Sequence, residues 1–232
     1  MRPRTLAASV GCLALLAAGI PVLQAQAGDP LTQPRDVSLN RRQPPEFVLK
    51  TIGIRPGMVV GEVGAGWGRY TVQIASRIGP GGRLYANDID RDSLETLRRR
   101  CAELGFRNVE VVVGTVTETR LPEKAMDMIV MVNVIHCLAD PVALLKNVAA
   151  ALKPGGQVAI VEGNLDKNPG AAGEWFPRAK LLGIFEAAGY TLVREDASLP
   201  QDNIYLFKRR AGAPPPLSSA ASSKLRWQAN WL

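Results

Sequence analysis

Val59-Val60-Gly61-Glu62-Val63-Gly64-Ala65-Gly66-Trp67-Gly68 is a β-rich run that passes into a turn with glycine at every second position and then into a helix-length amphipathic segment. Glycines at 64, 66 and 68 let the backbone turn tightly and let a ligand approach with no Cβ in the way. Several ligand classes use a glycine-rich turn at the start of a helix, and spacing separates them. The dinucleotide fingerprint needs glycines at its first, third and sixth positions. Counted from Gly64, the sixth position is Arg69, so a nicotinamide or flavin dinucleotide domain is excluded.

Outward from this turn the hydrophobic period switches repeatedly between short β-rich runs and longer amphipathic ones. The expected strands are 58–63, 83–87, 109–113, 126–132, 157–162, 191–195 and 203–208. Helices are expected over 68–78, 91–104, 141–152 and 174–188, after a shorter one near 46–52. Asp140 followed by Pro141 suits a helix start, and Gly105 and Gly189 suit helix ends. Alternating strands and helices predict an α/β fold, a single doubly wound sheet with helices on both faces and a ligand at the carboxyl ends of the strands. The last two strands are joined by only a short connection, so they are expected to pair antiparallel.

The flanks read differently. Arg2 and Arg4 precede an almost uncharged run from Thr5 to Val22, then Ala25-Gln26-Ala27, the pattern of an export signal over residues 1–27. Cleavage is expected before Gly28, placing the protein in the periplasm; the other reading keeps residues 5–22 as a membrane anchor, the chain's one expected membrane contact. Residues 28–45 read as a polar lead-in that packs only partly, residues 46–210 as the domain, and residues 211–232 as a disordered tail. The formal charge of +7 comes mostly from the ends: residues 28–208 hold 22 basic side chains against 21 acidic ones. No large basic excess remains on the domain, which argues against a nucleic-acid partner. Cys101 and Cys137 match no metal or redox spacing.

The next expected strand ends at Asp88, 20 residues after Gly68, where a carboxylate faces the crevice and can accept both hydroxyls of a ribose. With Glu62, the glycines and Asp88 in place, the chain resembles the class I S-adenosylmethionine-dependent methyltransferases, particularly small-molecule enzymes of the ubiquinone-biosynthesis type. Ala125-Met126-Asp127-Met128-Ile129-Val130 and Leu152-Lys153-Pro154-Gly155-Gly156 add to the likeness, which runs from about Ile52 to Lys208. It implies strand order 3-2-1-4-5-7-6 with the last strand antiparallel, and S-adenosylmethionine as cofactor.

The same resemblance implies site residues. The loop Gly64, Ala65, Gly66 and Gly68 would lie against the methionine portion, Glu62 would hold its amino group, Asp88 the ribose, and Ile89 would pack on the adenine. Where the family often has an aspartate for the adenine amino group, this chain reads Gly114-Thr115-Val116-Thr117, so Thr115 is the candidate there. Asn133-Val134-Ile135-His136 follows the fourth strand, opposite the sulfonium. Asn133 is a candidate for cofactor and catalysis, and His136, the single histidine, is either a base for a hydroxyl or acidic carbon or a structural side chain. Trp67 narrows the entrance or covers the sheet edge, and residues 174–178 either shape the acceptor pocket or staple a helix. No amino-methylating Asn-Pro-Pro-Tyr motif is present, which points to a small-molecule acceptor. The competing reading is an exported protein of this fold that has lost catalysis and binds another ligand.

Overall fold

The computed structural model describes residues 29–213; the expected signal and all of the expected tail beyond residue 213 lie outside the described residues. A short 3-10 turn at Pro34–Asp36 leads into α1 (Val37–Arg42) and α2 (Pro45–Ile52). There follow β1 (Val59–Val63), α3 (Thr71–Ile78), β2 (Arg83–Asp88), α4 (Arg91–Glu103), β3 (Val109–Val113), β4 (Met126–Val132), α5 (Pro141–Ala151), β5 (Leu152–Gly163), α6 (Arg178–Ala187), β6 (Tyr190–Asp196) and β7 (Asp202–Arg209). The seven strands form one sheet in the order β3-β2-β1-β4-β5-β7-β6. β1 to β5 pair in parallel, and β7 runs antiparallel to both β5 and β6. The order is the one the family resemblance implies, and the antiparallel hairpin is the one expected from the short connection before the last strand.

β4 shows why the central strands are nearly continuous apolar runs. Ile129 and Met131 join Val158 and Ile160 in a core with Leu145 and Val148 of α5 and Phe185 of α6. The alternate residues Met128 and Val130 join Ala159 and Val161 in a second core with Val48, Leu49 and Ile52 of α2 and Ile74 and Ile78 of α3. A parallel strand covered on both faces has no water-facing side, so its period of two divides two cores instead of core from solvent. Within the first core Phe185 stacks on Phe207 at 3.8 Å and meets Tyr190 edge-on at 5.8 Å. The buried Tyr190 hydroxyl donates to the Leu145 carbonyl at 2.8 Å, removing the cost of an unpaired polar group.

Three boundaries depart from the expectation. α3 starts at Thr71 and not at 68, because Gly68 sits at φ +86°, outside the helical region. α6 starts at Arg178 and not at 174. Pro177 is extended at ψ 148°, and the residue before a proline is held away from the helical region; Trp175 and Phe176 instead bridge to Ala172 and Asn164. β5 starts at Leu152, carrying the Lys153-Pro154-Gly155-Gly156 segment inside the strand, with a register shift against β4 between Met126 and Met128. The helix starts at Asp90 and Asp140 are capped by those side chains, which accept from the backbone N–H groups of Asp92 and Ala143.

Candidate active site

The carboxyl ends of β1, β2, β4 and β5 bring the expected residues to one edge of the sheet. The backbone N–H groups of Gly64 and Ala65 both donate to the Asn87 carbonyl at 2.9 Å, tying the glycine loop to β2. Gly64 has φ +77°, and a Cβ there would overlap the Val134 side chain, so the segment after β4 lies directly against this loop. Gly66, at φ +52°, has open space where a Cβ would stand.

Glu62, 3% exposed, receives the Thr71 hydroxyl at 2.5 Å. Burial raises its pKa to about 7, with the Asp88 charge pushing the same way against the Thr71 hydrogen bond and the Arg69 and Arg100 charges. Among the described residues Glu62 makes no ion pair. Asp88 is half-buried and held by three backbone N–H groups: Gly66 to Oδ2 at 2.8 Å, and Ile89 and Asp90 to Oδ1 at 2.7 and 3.0 Å. A carboxylate offers roughly four acceptor sites, so this arrangement leaves one for a ribose hydroxyl where the sequence suggested two. Ile89 is 59% exposed beside it. Thr115 closes a turn: its N–H donates to the Glu118 carbonyl at 2.8 Å and its hydroxyl accepts from the Glu118 N–H at 3.1 Å. Trp67 is 54% exposed with the Arg35 guanidinium 5.1 Å from its ring centre.

The expected lead-in docks beside the site through polar anchors. Asp36 and Arg100 form a buried ion pair at 2.7 Å, and Arg100 also donates to the Leu31 and Trp67 carbonyls. At the other end of α1, Gln43 is fully buried. Its Nε2 donates to Asn133 Oδ1 at 2.9 Å and to Asp202 Oδ1 at 2.8 Å, while its Oε1 accepts from Arg69 at 2.7 Å and from Asn133 Nδ2 at 3.1 Å. Arg42 adds bonds to Asn133 and Asp202 and lies 5.0 Å from the Trp175 ring centre. Burial raises the Asp202 pKa against the pull of Gln43 and Arg42. Asn133, at the left-handed φ of +57°, therefore uses its carbonyl oxygen and one amide hydrogen inside the protein. Its geometry makes it a structural clamp more than a free catalytic group.

His136 stands in a 3-10 turn after β4, with Nδ1 2.5 Å from Glu162 Oε1. Glu162 is 1% exposed at the end of β5, and its Oε2 accepts the Ile135 N–H at 2.9 Å. The carboxylate raises the His136 pKa, with burial opposing it. Sequence reasoning found His136 but not Glu162, Gln43, Arg42 or Asp202. Glu162 had a signal: one ionisable residue closing the apolar run Val158-Ala159-Ile160-Val161. The others come from distant segments and had none. A separate open hollow lined by Arg55, Met58, Asp127 and Lys153 lies at the opposite ends of the strands, away from this chemistry.

Comparison with known proteins supports the same reading. A family model described as "Methyltransferase domain" matches residues 60–156. The chain is similar to demethylmenaquinone methyltransferases of Listeria monocytogenes, 26% identical over 122 residues, 53% of this chain and 52% of that protein. A protein of the same description from Anoxybacillus flavithermus is 26% identical over 114 residues, 49% of this chain and 48% of that one. The chain thus spans about half the length of these curated relatives. Among solved structures, a SAM dependent methyltransferase from Aquifex aeolicus superposes with a TM-score of 0.68 at 27% identity, covering 77% of this chain and 97% of that one.

Proposed function

We propose, for a chain that carries a class I S-adenosylmethionine-dependent methyltransferase domain, that it transfers the methyl group of S-adenosylmethionine to a small-molecule acceptor by direct displacement. The observation that carries this reading is Glu62, a carboxylate buried beside the glycine loop to which, among the described residues, one donor is bonded, the Thr71 hydroxyl. A buried carboxylate without a cation is costly, and a ligand ammonium removes that cost. The open space at Gly66 and the remaining acceptor site on Asp88 complete a set that fits the cofactor.

Glu62 would hold the ammonium, Gly64, Ala65, Gly66 and Gly68 the methionine portion, and Asp88 a ribose hydroxyl, with Ile89 and Thr115 flanking the adenine. When bound, the cofactor supplies a methyl group on a positively charged sulfur. The protein's work in such a displacement is to align the nucleophile and exclude water. The docked segment from Asp36 to Gln43 and the turn carrying Val134 serve that purpose here. The names of the Listeria and Anoxybacillus relatives favour a quinol-type ring as acceptor. Residues 1–27 favour export; a fusion of them to a reporter active only outside the cytoplasm tests this, and silence refutes it.

The test of the main reading is calorimetric titration of the full chain with S-adenosylmethionine and with NAD. The expected result is micromolar affinity for the methyl donor alone, weakened about 10- to 100-fold by Asp88→Ala, the loss of one charge-assisted hydrogen bond. No binding of either ligand refutes the enzyme and favours a repurposed exported fold.

A further inference from the structure

Resting on the methyltransferase reading, we propose that Glu162 is a positioning residue that holds His136 as the proton acceptor, and that the methyl acceptor carries a hydroxyl or an acidic C–H. Two hydrogen bonds fix the Glu162 carboxylate to two neighbouring parts of one turn. Oε2 takes the Ile135 backbone N–H at 2.9 Å and Oε1 faces His136 Nδ1 at 2.5 Å. A carboxylate at Nδ1 selects the tautomer with its hydrogen there and leaves the lone pair on Nε2.

No described residue hydrogen-bonds Nε2, and the His136 side chain is 18% exposed. The ring is gripped by protein at Nδ1, and Nε2 is left for solvent or for an acceptor's proton. Its turn is the one whose Val134 packs on Gly64, next to the glycine loop. Three charged groups from three elements act on the ring: Glu162 of β5 and Glu174 before α6 favour the imidazolium, and Arg42 of α1 opposes it.

The acceptor's O–H or C–H proton moves to Nε2 of His136, and the electron pair it leaves forms the bond to the methyl carbon. The carbon–sulfur pair stays on sulfur as a neutral thioether, and the imidazolium beside Glu162 later returns its proton to water. An acceptor with no proton to lose, such as a pyridine nitrogen or a thioether, gains nothing from this base.

The chain contains one histidine, so NMR of the untagged full chain reads a single imidazole titration without assignment. The expected wild-type midpoint lies above the ordinary value of about 6.5, and Glu162→Gln lowers it. An unmoved midpoint in Glu162→Gln overturns the positioning role. Labelled S-adenosylmethionine is then offered with catechol, 1,4-naphthohydroquinone or pyridine as probe. Labelling of a hydroxyl probe is expected, reduced about 100-fold by His136→Gln, with the acid limb of the Glu162→Gln pH profile following its lowered imidazole midpoint. Label in pyridine alone, label in no hydroxyl probe, or a His136→Gln variant as fast as wild type overturns the acceptor class. Failure of the wild type to bind S-adenosylmethionine in the calorimeter marks a failure of the methyltransferase reading itself, while the imidazole titration decides the dyad independently.

Discussion

The Thr71 hydroxyl is bonded to Glu62 Oε2 at 2.5 Å, and burial raises the carboxylate pKa to about 7 against the lowering by this hydrogen bond. Its folded-state pKa is raised, so the native protein holds the proton more tightly than the unfolded chain. The stability this provides is present below about 4.5 and is lost as pH rises to about 7.

Cofactor binding runs the other way, since an ammonium prefers the ionised form. Affinity for S-adenosylmethionine is therefore expected to rise by up to about tenfold per pH unit between about 5.5 and 7, with proton release seen as a buffer-dependent calorimetric enthalpy. Glu62→Gln flattens the profile and weakens binding at pH 7.5. A wild-type profile that is already flat rules out Glu62 as the ammonium's partner.

Asp36 and Arg100 are both nearly inaccessible, and breaking such a pair leaves a buried charge behind. Asp36→Ala is expected to cost about 3–5 kcal/mol in chemical denaturation. The surface ion pair of Arg98 with Glu95 provides the contrast, with Glu95→Ala changing stability by less than about 1 kcal/mol. Equal small losses for both would mean that the segment before α1 is not anchored through Arg100.

The difference between these two acidic residues also shows what a sequence can and cannot carry. The hairpin, the glycine loop and Asp88 were legible because each depends on local period or on spacing along a short stretch of chain, whereas the strand order came only from the family resemblance that those features carry. The junction of Arg42, Gln43, Arg69, Asn133 and Asp202 was not. It unites five side chains from four segments, and nothing local to Gln43 marks it as buried. Composition made residues 28–45 read as loosely packed, yet the side chains of Asp36, Asn40, Arg42 and Gln43 bind that segment to the domain. Trp175 falls inside the helix expected over 174–188, but the proline at 177 holds the residue before it away from the helical region and the helix starts at Arg178.

Gly64 and Gly66 separate two demands made on one loop. Both have positive φ, so alanine is strained at either, but only at Gly64 does the added Cβ overlap a neighbour, Val134. Gly66→Ala is expected to cost about 1 kcal/mol, and Gly64→Ala about 1–3 kcal/mol more because of the overlap. Thermal melts of the two variants check this ordering, and an equal loss would show that the Val134 contact yields freely. Restoring space with Val134→Ala in the Gly64→Ala background should recover part of the added loss, a coupling that a double-mutant cycle reads directly.

His136 gives the last prediction its sign. Glu162 raises its pKa above the ordinary value, so the folded state binds the proton more strongly than the unfolded chain does. The resulting stability is fully present below about pH 6.5 and disappears as pH rises through the folded pKa. The difference in unfolding free energy between wild type and His136→Gln should therefore be larger at pH 5.5 than at pH 9, with urea denaturation as the measurement. His136→Gln also leaves the buried Glu162 carboxylate with a weaker donor, so Glu162→Gln is measured beside it, and pH dependence lost in both variants belongs to the pair. A difference that stays level from pH 5.5 to 9 would mean that the histidine remains neutral throughout, with the short Nδ1 contact serving orientation without charge.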